Sequence, residues 1–340
     1  ATAKMTPVIA GLWLDGDMEI GVETEVVRAS KNIEVALALD ITGSMSGSKI
    51  SDLRAAAKEL VGMIIQSQQT PFYSKVALVP YSMGVNVGSY AASVRGTPTA
   101  GACTTPGCEK FTFTTASGGT ATRTIGACVS ERTGPEAYTD VAPSTAFVGR
   151  NYAGSGNPCP AASIMPLSSD ETALKARIDT LQASGSTAGQ IGLAWGWYMV
   201  SPSFGYLWPS DDSRPAPYGG DDLLKVVVLM TDGAFNTTYC KGVISKDATS
   251  GSGSSSDKIN CNATNGDAYA QAEALCDAMK AQGVVIYTVG FALSGNYAAE
   301  TIMEDCATDA DHMFLPDSGA DLKVAFRAIG QDINALRLSK

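Results

Sequence analysis

Hydrophobic positions along the 340-residue chain fall into short continuous runs, helical stripes and long polar tracts. Residues 33–39 (IEVALAL) form an apolar run that stops at Asp40 and turns through Thr42, Gly43 and Ser44, the pattern of a buried strand ending in a polar loop. Downstream, Ile50, Leu53, Ala57, Leu60, Val61, Ile64 and Ile65 share one helical face, so the loop joins a core strand to an amphipathic helix. Residues 75–82 read as a second strand, ending at Ser82. Residues 223–231 (LLKVVVLMT) are the clearest strand of the chain, and they too end at an acid, Asp232. Continuous apolar runs of this kind mark strands covered on both faces, hence a parallel sheet flanked by helices.

The other periodic segments alternate in the same way. Helical spacing returns at 170–182 (Leu174, Ile178, Leu181), and a further helix opens from 185–193 and runs through Trp195, Trp197, Tyr198 and Met199, an aromatic cluster that reads as core. A helix at 268–281, a strand at 284–291, a helix at 297–306 and a short strand at 313–315 follow. A closing helix at 320–336 carries Leu322, Ala325, Phe326, Ile329 and Ile333 on one face. This order predicts one α/β domain over 33–340, a doubly wound, mostly parallel sheet with helices on both faces and right-handed crossovers. Residues 1–32 alternate more loosely (Met18, Ile20, Val22, Glu23, Val26, Val27) and predict one or two strands extending an edge of that sheet.

Three tracts interrupt the alternation. Residues 83–166 lose all periodicity among Gly, Ser, Thr, Pro and Ala, which predicts an insertion with its own tethers. Residues 203–221, rich in Pro, Asp and Gly, read as a surface loop, and residues 236–266 as a polar excursion around a Gly/Ser tract. Eight cysteines stand at 103, 108, 128, 159, 240, 261, 276 and 306. With a single histidine, His312, and no Cys-x-x-Cys pair, a zinc site has little support. Disulfides fit better, would compensate for the insertion's thin core, and place the chain outside the cytosol, in the periplasm or on a surface. Neighbours in sequence pair Cys103 with Cys108 and Cys128 with Cys159; Cys240 with Cys261 would close the later excursion, and Cys276 with Cys306 would clip two outer helices. Free buried thiols are the alternative. Asn236 and Asn262 begin Asn-x-Thr sequons.

Composition narrows the partners. The chain is 45% hydrophobic and 17% charged, enough for a sizeable core plus large loops. A formal net charge of −10 argues against nucleic acid or an anionic membrane as partner. No apolar run approaches the ~18 residues of a membrane span, and Ala1 opens no signal sequence, which reads as a mature or trimmed chain.

The candidate chemistry is the set of oxygen donors at strand ends and helix entries: Asp40, Thr42 and Ser44; Thr187, in the loop before the Trp-rich helix; and Asp232. Hard donors of this kind suit Mg²⁺, Mn²⁺ or Ca²⁺ and not a soft metal. Taken singly, each has a plainer role: Asp40 ends a strand, and Ser44, Ser46 or Thr187 caps a helix. Together, in this order, they resemble the von Willebrand factor type A (VWA) family, whose metal-ion-dependent adhesion site (MIDAS) uses Asp-x-Ser-x-Ser, a threonine in a Gly-Gly-Thr-like loop and an aspartate in a Thr-Asp-Gly-like turn. Its five ligand positions map onto Asp40, Thr42, Ser44, Thr187 and Asp232. Thr42 replaces the first serine and keeps its hydroxyl; Ser186 replaces a common glycine and affects loop geometry only.

Within that family, Val79-Pro80-Tyr81-Ser82, the stretch from Trp195 to Pro202, Met230-Thr231-Asp232-Gly233-Ala234-Phe235-Asn236-Thr237, the pair Cys276 and Cys306, and residues 333–338 look like bacterial TadG-type proteins of tight-adherence (Tad) pilus systems. The resemblance implies a Rossmann-like VWA fold and a divalent cation, Mg²⁺ first and Mn²⁺ or Ca²⁺ as alternatives. It implies a protein partner, such as a pilus component or a host or surface protein, held through an Asp or Glu carboxylate in pilus biogenesis or surface attachment. TadG-type relatives carry an amino-terminal membrane helix that this sequence lacks. Two other function classes compete: a metal-assisted hydrolase or phosphoryl-transfer enzyme, and a structural surface protein with a vestigial site. Against the enzyme stand the missing Gly-rich Lys-Ser/Thr phosphate loop and the lack of histidine at any strand-end motif.

Overall fold

The computed structural model describes residues 30–338 and the backbone of two short strands nearer the amino terminus, β1 (Thr2–Met5) and β2 (Met18–Gly21). These two pair antiparallel with each other in a sheet of their own. Within the stretch predicted to extend an edge, these two strands pair with each other and not with the central sheet. Val22, Glu23, Val26 and Val27 lie outside the described residues.

The central framework begins with β3 (Asn32–Asp40), α1 (Ser48–Ile64) and β4 (Ser74–Tyr81). The insertion follows as β5 (Val85–Asn86), α2 (Ala91–Arg95), β6 (Thr99–Cys103), β7 (Cys108–Thr114), β8 (Thr120–Thr124), β9 (Cys128–Ser130), β10 (Gly149–Arg150) and β11 (Met165–Ser168). The framework then resumes with α3 (Glu171–Asp179), α4 (Gly189–Val200) and β12 (Leu223–Thr231), passes a small hairpin of β13 (Tyr239–Cys240) and β14 (Val243–Ile244), and closes with α5 (Ala268–Ala281), β15 (Val285–Gly290), α6 (Tyr297–Cys306), β16 (Met313–Phe314) and α7 (Gly319–Leu338). Among the described residues, no helix is long and apolar enough to cross a membrane.

Mixed α/β architecture results. The central sheet runs β10-β9-β5-β4-β3-β12-β15-β16, with β11 also on β4. Five strands, β4, β3, β12, β15 and β16, are mutually parallel. The four contributed by the insertion pair antiparallel. The expectation of a mostly parallel sheet thus describes the core, while the insertion adds an antiparallel flank through connections that need no helical crossover. Alternation along the strands divides two hydrophobic layers: Val35, Leu37, Val226 and Val228 face α1, α3 and α7, whereas Ala36, Ala38, Val227 and Leu229 face α4, α5 and α6.

Helix α4 is buried on every side, as its near-continuous apolar sequence requires. It lies unusually close to the sheet because Gly192 and Gly196 face it. A Cβ on Gly192 would sit 2.4 Å from the Tyr81 ring, and one on Gly196 would sit 2.9 Å from Val227.

Four disulfides tether the loops: Cys103–Cys108, Cys128–Cys159, Cys240–Cys261 and Cys276–Cys306, the last joining α5 to α6. Strands β6, β7 and β8 form a separate sheet, and Phe111 and Phe113 on β7 build a satellite core with Tyr152, Val243 and Ile259. The 203–221 tract is not wholly surface. Phe204 stacks on Tyr198 with ring centroids 4.3 Å apart, Trp208 is buried, and the Ala216 N–H donates to Glu34, whose carboxylate forms a buried ion pair with Lys225. A charged pair beneath the sheet needs such backbone donors to complete its hydrogen bonding.

Candidate metal centre

Parallel pairing of β3 with β12, in register through Leu39 and Met230, ends both strands at the same level. Asp40 and Asp232, 192 residues apart in sequence, therefore arrive side by side. Asp40 is fully buried. Its Oδ1 accepts the Thr42 N–H (2.8 Å), and its Oδ2 accepts the Thr231 hydroxyl (2.8 Å) and, more distantly, the Asp232 N–H (3.4 Å). Thr42 Oγ1 and Ser44 Oγ lie 2.9 Å apart, and Ser44 Oγ donates to Asp232 Oδ1 at 2.5 Å. Asp40, Thr42, Ser44 and Asp232 thus form one hydrogen-bonded cluster.

The loop that carries Thr187 is tied to the same region through its backbone. The Gly43 N–H donates to the Gly185 carbonyl and the Ser184 N–H to the Ile41 carbonyl, both at 2.8 Å, which stitches the loop before α4 onto the loop after β3. Gly185 makes that turn at φ +84°, a left-handed conformation that glycine adopts without steric cost. The buried Thr187 donates its N–H to Asn236 Oδ1 (2.9 Å), and its carbonyl accepts the Asn236 N–H (2.9 Å). Its hydroxyl makes no hydrogen bond to the other four residues.

Two carboxylates held this way repel one another. Burial, followed by the charge of Asp232, raises Asp40 from the ordinary 3.8 to about 6, even though the Thr42 and Thr231 hydrogen bonds favour the ionised form. Lys49 partly balances the charge, its ammonium lying 2.7 Å from Asp232 Oδ2. The donor set, two carboxylates and hydroxyls with no nitrogen or sulfur ligand, fits a hard divalent cation, which would supply the positive charge that a single lysine does not.

Three residues escaped the reading of the sequence. Lys49 stands in the first turn of α1, where the helix dipole disfavours a cation; only the structure shows the acid, Asp232, that offsets this. Asn236, read as a sequon, has its side-chain oxygen committed to the Thr187 N–H and the Thr237 hydroxyl, which leaves Asn262 as the exposed sequon. Thr231 is the residue before the recognised aspartate, and only pairing with β3 reveals its bond to Asp40. His312 lies elsewhere, its ring against Tyr287 (centroids 4.6 Å apart) and its Nδ1 2.6 Å from Asp309.

No family model and no characterised protein sequence matches the chain. Among solved structures it is similar to von Willebrand factor-type and pilus proteins. One is the vWF domain of the type V pilus tip protein Mfa5 from Porphyromonas gingivalis: 13% identity, TM-score 0.49, covering 92% of this chain and 98% of that one. Another is the pilus adhesin SpaC from Lactobacillus rhamnosus GG: 16% identity, TM-score 0.47, covering 94% and 32%. A third is proximal thread matrix protein 1 from the mussel byssus, solved with a zinc-occupied MIDAS motif: 13% identity, TM-score 0.41, covering 91% and 47%. This chain matches about a third of the length of SpaC and about half that of the thread matrix protein.

Proposed function

We propose that this chain is an extracytoplasmic adhesion module. In this reading it holds a divalent cation, Mg²⁺ before Mn²⁺ or Ca²⁺, among Asp40, Thr42, Ser44, Thr187 and Asp232, and engages a protein partner through an Asp or Glu carboxylate. One observation carries the reading: two carboxylates from strands far apart in sequence meet in a hydroxyl-lined site where a single ammonium, that of Lys49, pairs with Asp232 alone. Asp40 and Asp232 would supply charge, while Thr42, Ser44 and Thr187 would orient and adjust the sphere. When bound, the ion offers a strongly positive point to an incoming carboxylate. Thr231 and the Thr42 N–H keep Asp40 in place, and Asn236 fixes the loop carrying Thr187. Four disulfides support an oxidising compartment. A role in Tad-type pilus biogenesis or surface attachment follows from the sequence resemblance and is the narrower form of the proposal.

The test is capture of surface or envelope proteins on the immobilised chain in Mg²⁺ and in chelator, using wild type, Thr187→Ala and Asp232→Ala. A partner retained only in Mg²⁺ and lost in both variants supports the reading. Absence of any divalent-ion effect on melting and capture would favour a structural surface protein, and phosphoester turnover abolished by Asp40→Ala would favour an enzyme.

A further inference from the structure

A second site lies away from the metal centre and shares no residue with it. A cleft of about 480 Å³ opens between the end of α2, the segments around β9 and β10, and the β13–β14 turn. Arg95, Arg150 and Lys241 line it, a concentration of positive charge on a chain whose net charge is −10. Glu131 is the one acid among the lining residues, and its Oε1 accepts the Tyr239 N–H. Among the described residues, no carboxylate pairs with Arg95, Arg150 or Lys241.

The two guanidinium groups differ: that of Arg95 is fixed in the wall of the cleft, and that of Arg150 is left for a ligand. Arg95, 94% buried, spends its two terminal nitrogens on the carbonyls of Gly96 and Gly126, while its Nε is buried without a partner. Arg150 makes no side-chain hydrogen bond, and its Nε is likewise buried and unpartnered. Burial, and then the proximity of Arg150, lowers the Arg95 pKa, so the two charges are close and poorly solvated. Lys241 and Gly242 form the two-residue turn between β13 and β14 with φ of +54° and +80°. Positive φ at both positions is what a tight two-residue hairpin turn requires, and Lys241 is exposed on that turn. The remaining walls are of two kinds: the Phe147 ring, 54% exposed, with Pro106 and Val148, and the hydroxyls of Thr133 and Thr264.

We propose that this cleft binds an acidic sugar, a pyranose ring whose carboxylate meets Arg150 and Lys241 and whose apolar face lies on Phe147. The space far exceeds what a bare phosphate needs, and an exposed aromatic ring beside free hydroxyls suits a sugar better than an amino-acid side chain alone. The site stands independently of the divalent-cation reading.

The experiment is isothermal titration of the intact protein, in chelator and at low salt, with glucuronate and galacturonate. Glucose, galactose, N-acetylglutamate and inorganic phosphate serve as competitors. A uronate should bind saturably and at least about tenfold more tightly than each competitor, with Arg150→Gln weakening it about tenfold or more. Lys241→Gln, on an exposed turn, should weaken it severalfold even where Arg150→Gln disturbs folding. Phe147→Ala should reduce uronate affinity without altering any response to phosphate. Failure of both uronates to bind, phosphate or N-acetylglutamate binding equally well, or unchanged affinity in Lys241→Gln would each overturn the proposal. Loss of binding in chelator would overturn it too, by moving the ligand to the metal centre.

Discussion

Replacing Asp40 by asparagine tests the electrostatics of the metal centre most directly. Without a divalent ion, the ionised Asp40 is a liability: burial and the facing Asp232 raise it from 3.8 to about 6. That displacement corresponds to ~3 kcal/mol against the ionised form in the folded protein. Between those two values the native state keeps a proton that the unfolded chain has released, so stability falls as pH rises through the interval. The penalty is full above about pH 6 and absent below 3.8. Asparagine keeps the acceptor for the Thr42 N–H but turns a donor toward the Asp232 N–H, a contact already long at 3.4 Å, and toward the Thr231 hydroxyl (2.8 Å), which can reverse to accept it and donate to the Gly233 carbonyl instead. We allow ~1 kcal/mol for that mismatch. In chelator at pH 8, Asp40→Asn should therefore be more stable than wild type by ~1–2 kcal/mol, and the advantage should disappear near pH 4. In Mg²⁺ the order should reverse, because an ion at a hundred times its dissociation constant adds ~2.7 kcal/mol to the wild type alone. Thermal unfolding at both pH values, with chelator and with Mg²⁺, reads all four corners. An Asp40→Asn protein that is less stable at pH 8 in chelator, or that keeps the full Mg²⁺ gain, refutes the reasoning.

Other perturbations probe the supports. Lys49→Gln removes the ammonium from Asp232 and should lower stability in chelator by ~1 kcal/mol, while titration calorimetry should show a severalfold rise in divalent-ion affinity as a competing charge is lost. Gly192→Ala puts a methyl group 2.4 Å from Tyr81, whose hydroxyl is tied to the Met230 carbonyl. Overpacking of ~1–3 kcal/mol outweighs the ~1 kcal/mol of better helix propensity, so melting should fall and, with α4 displaced, the Mg²⁺ response should weaken. Converting Cys128 and Cys159 to serine opens a loop spanning 31 residues; chain entropy puts the loss at ~3–4 kcal/mol, measurable by thermal unfolding.

Much of the framework was legible because its signals are local. The runs at 33–39 and 223–231 carry enough consecutive apolar residues to mark strands buried on both faces, and the stripes from Ile50 and Leu322 mark helices covering them. An acid that halts such a run has to sit at a strand end, which is how Asp40 and Asp232 became visible. The insertion was less legible. Phe111 and Phe113 do alternate with threonines, but the surrounding Gly, Ser and Thr hide the period, and β5, β9 and β10 are two or three residues long.

Apolar periodicity and the placement of acids, hydroxyls and cysteines follow from the sequence alone, since each depends on residues a few positions apart. Tertiary structure alone decided which strand end meets which, and with it the Lys49–Asp232 pair, the Thr231–Asp40 bond, the Asn236 brace on Thr187 and the cleft shared by Arg95, Arg150 and Lys241. Each of these joins segments separated by roughly fifty to two hundred residues, and a contact at that range is set by the path of the crossovers and the register of the sheet. Neither leaves a trace in the local order of side chains.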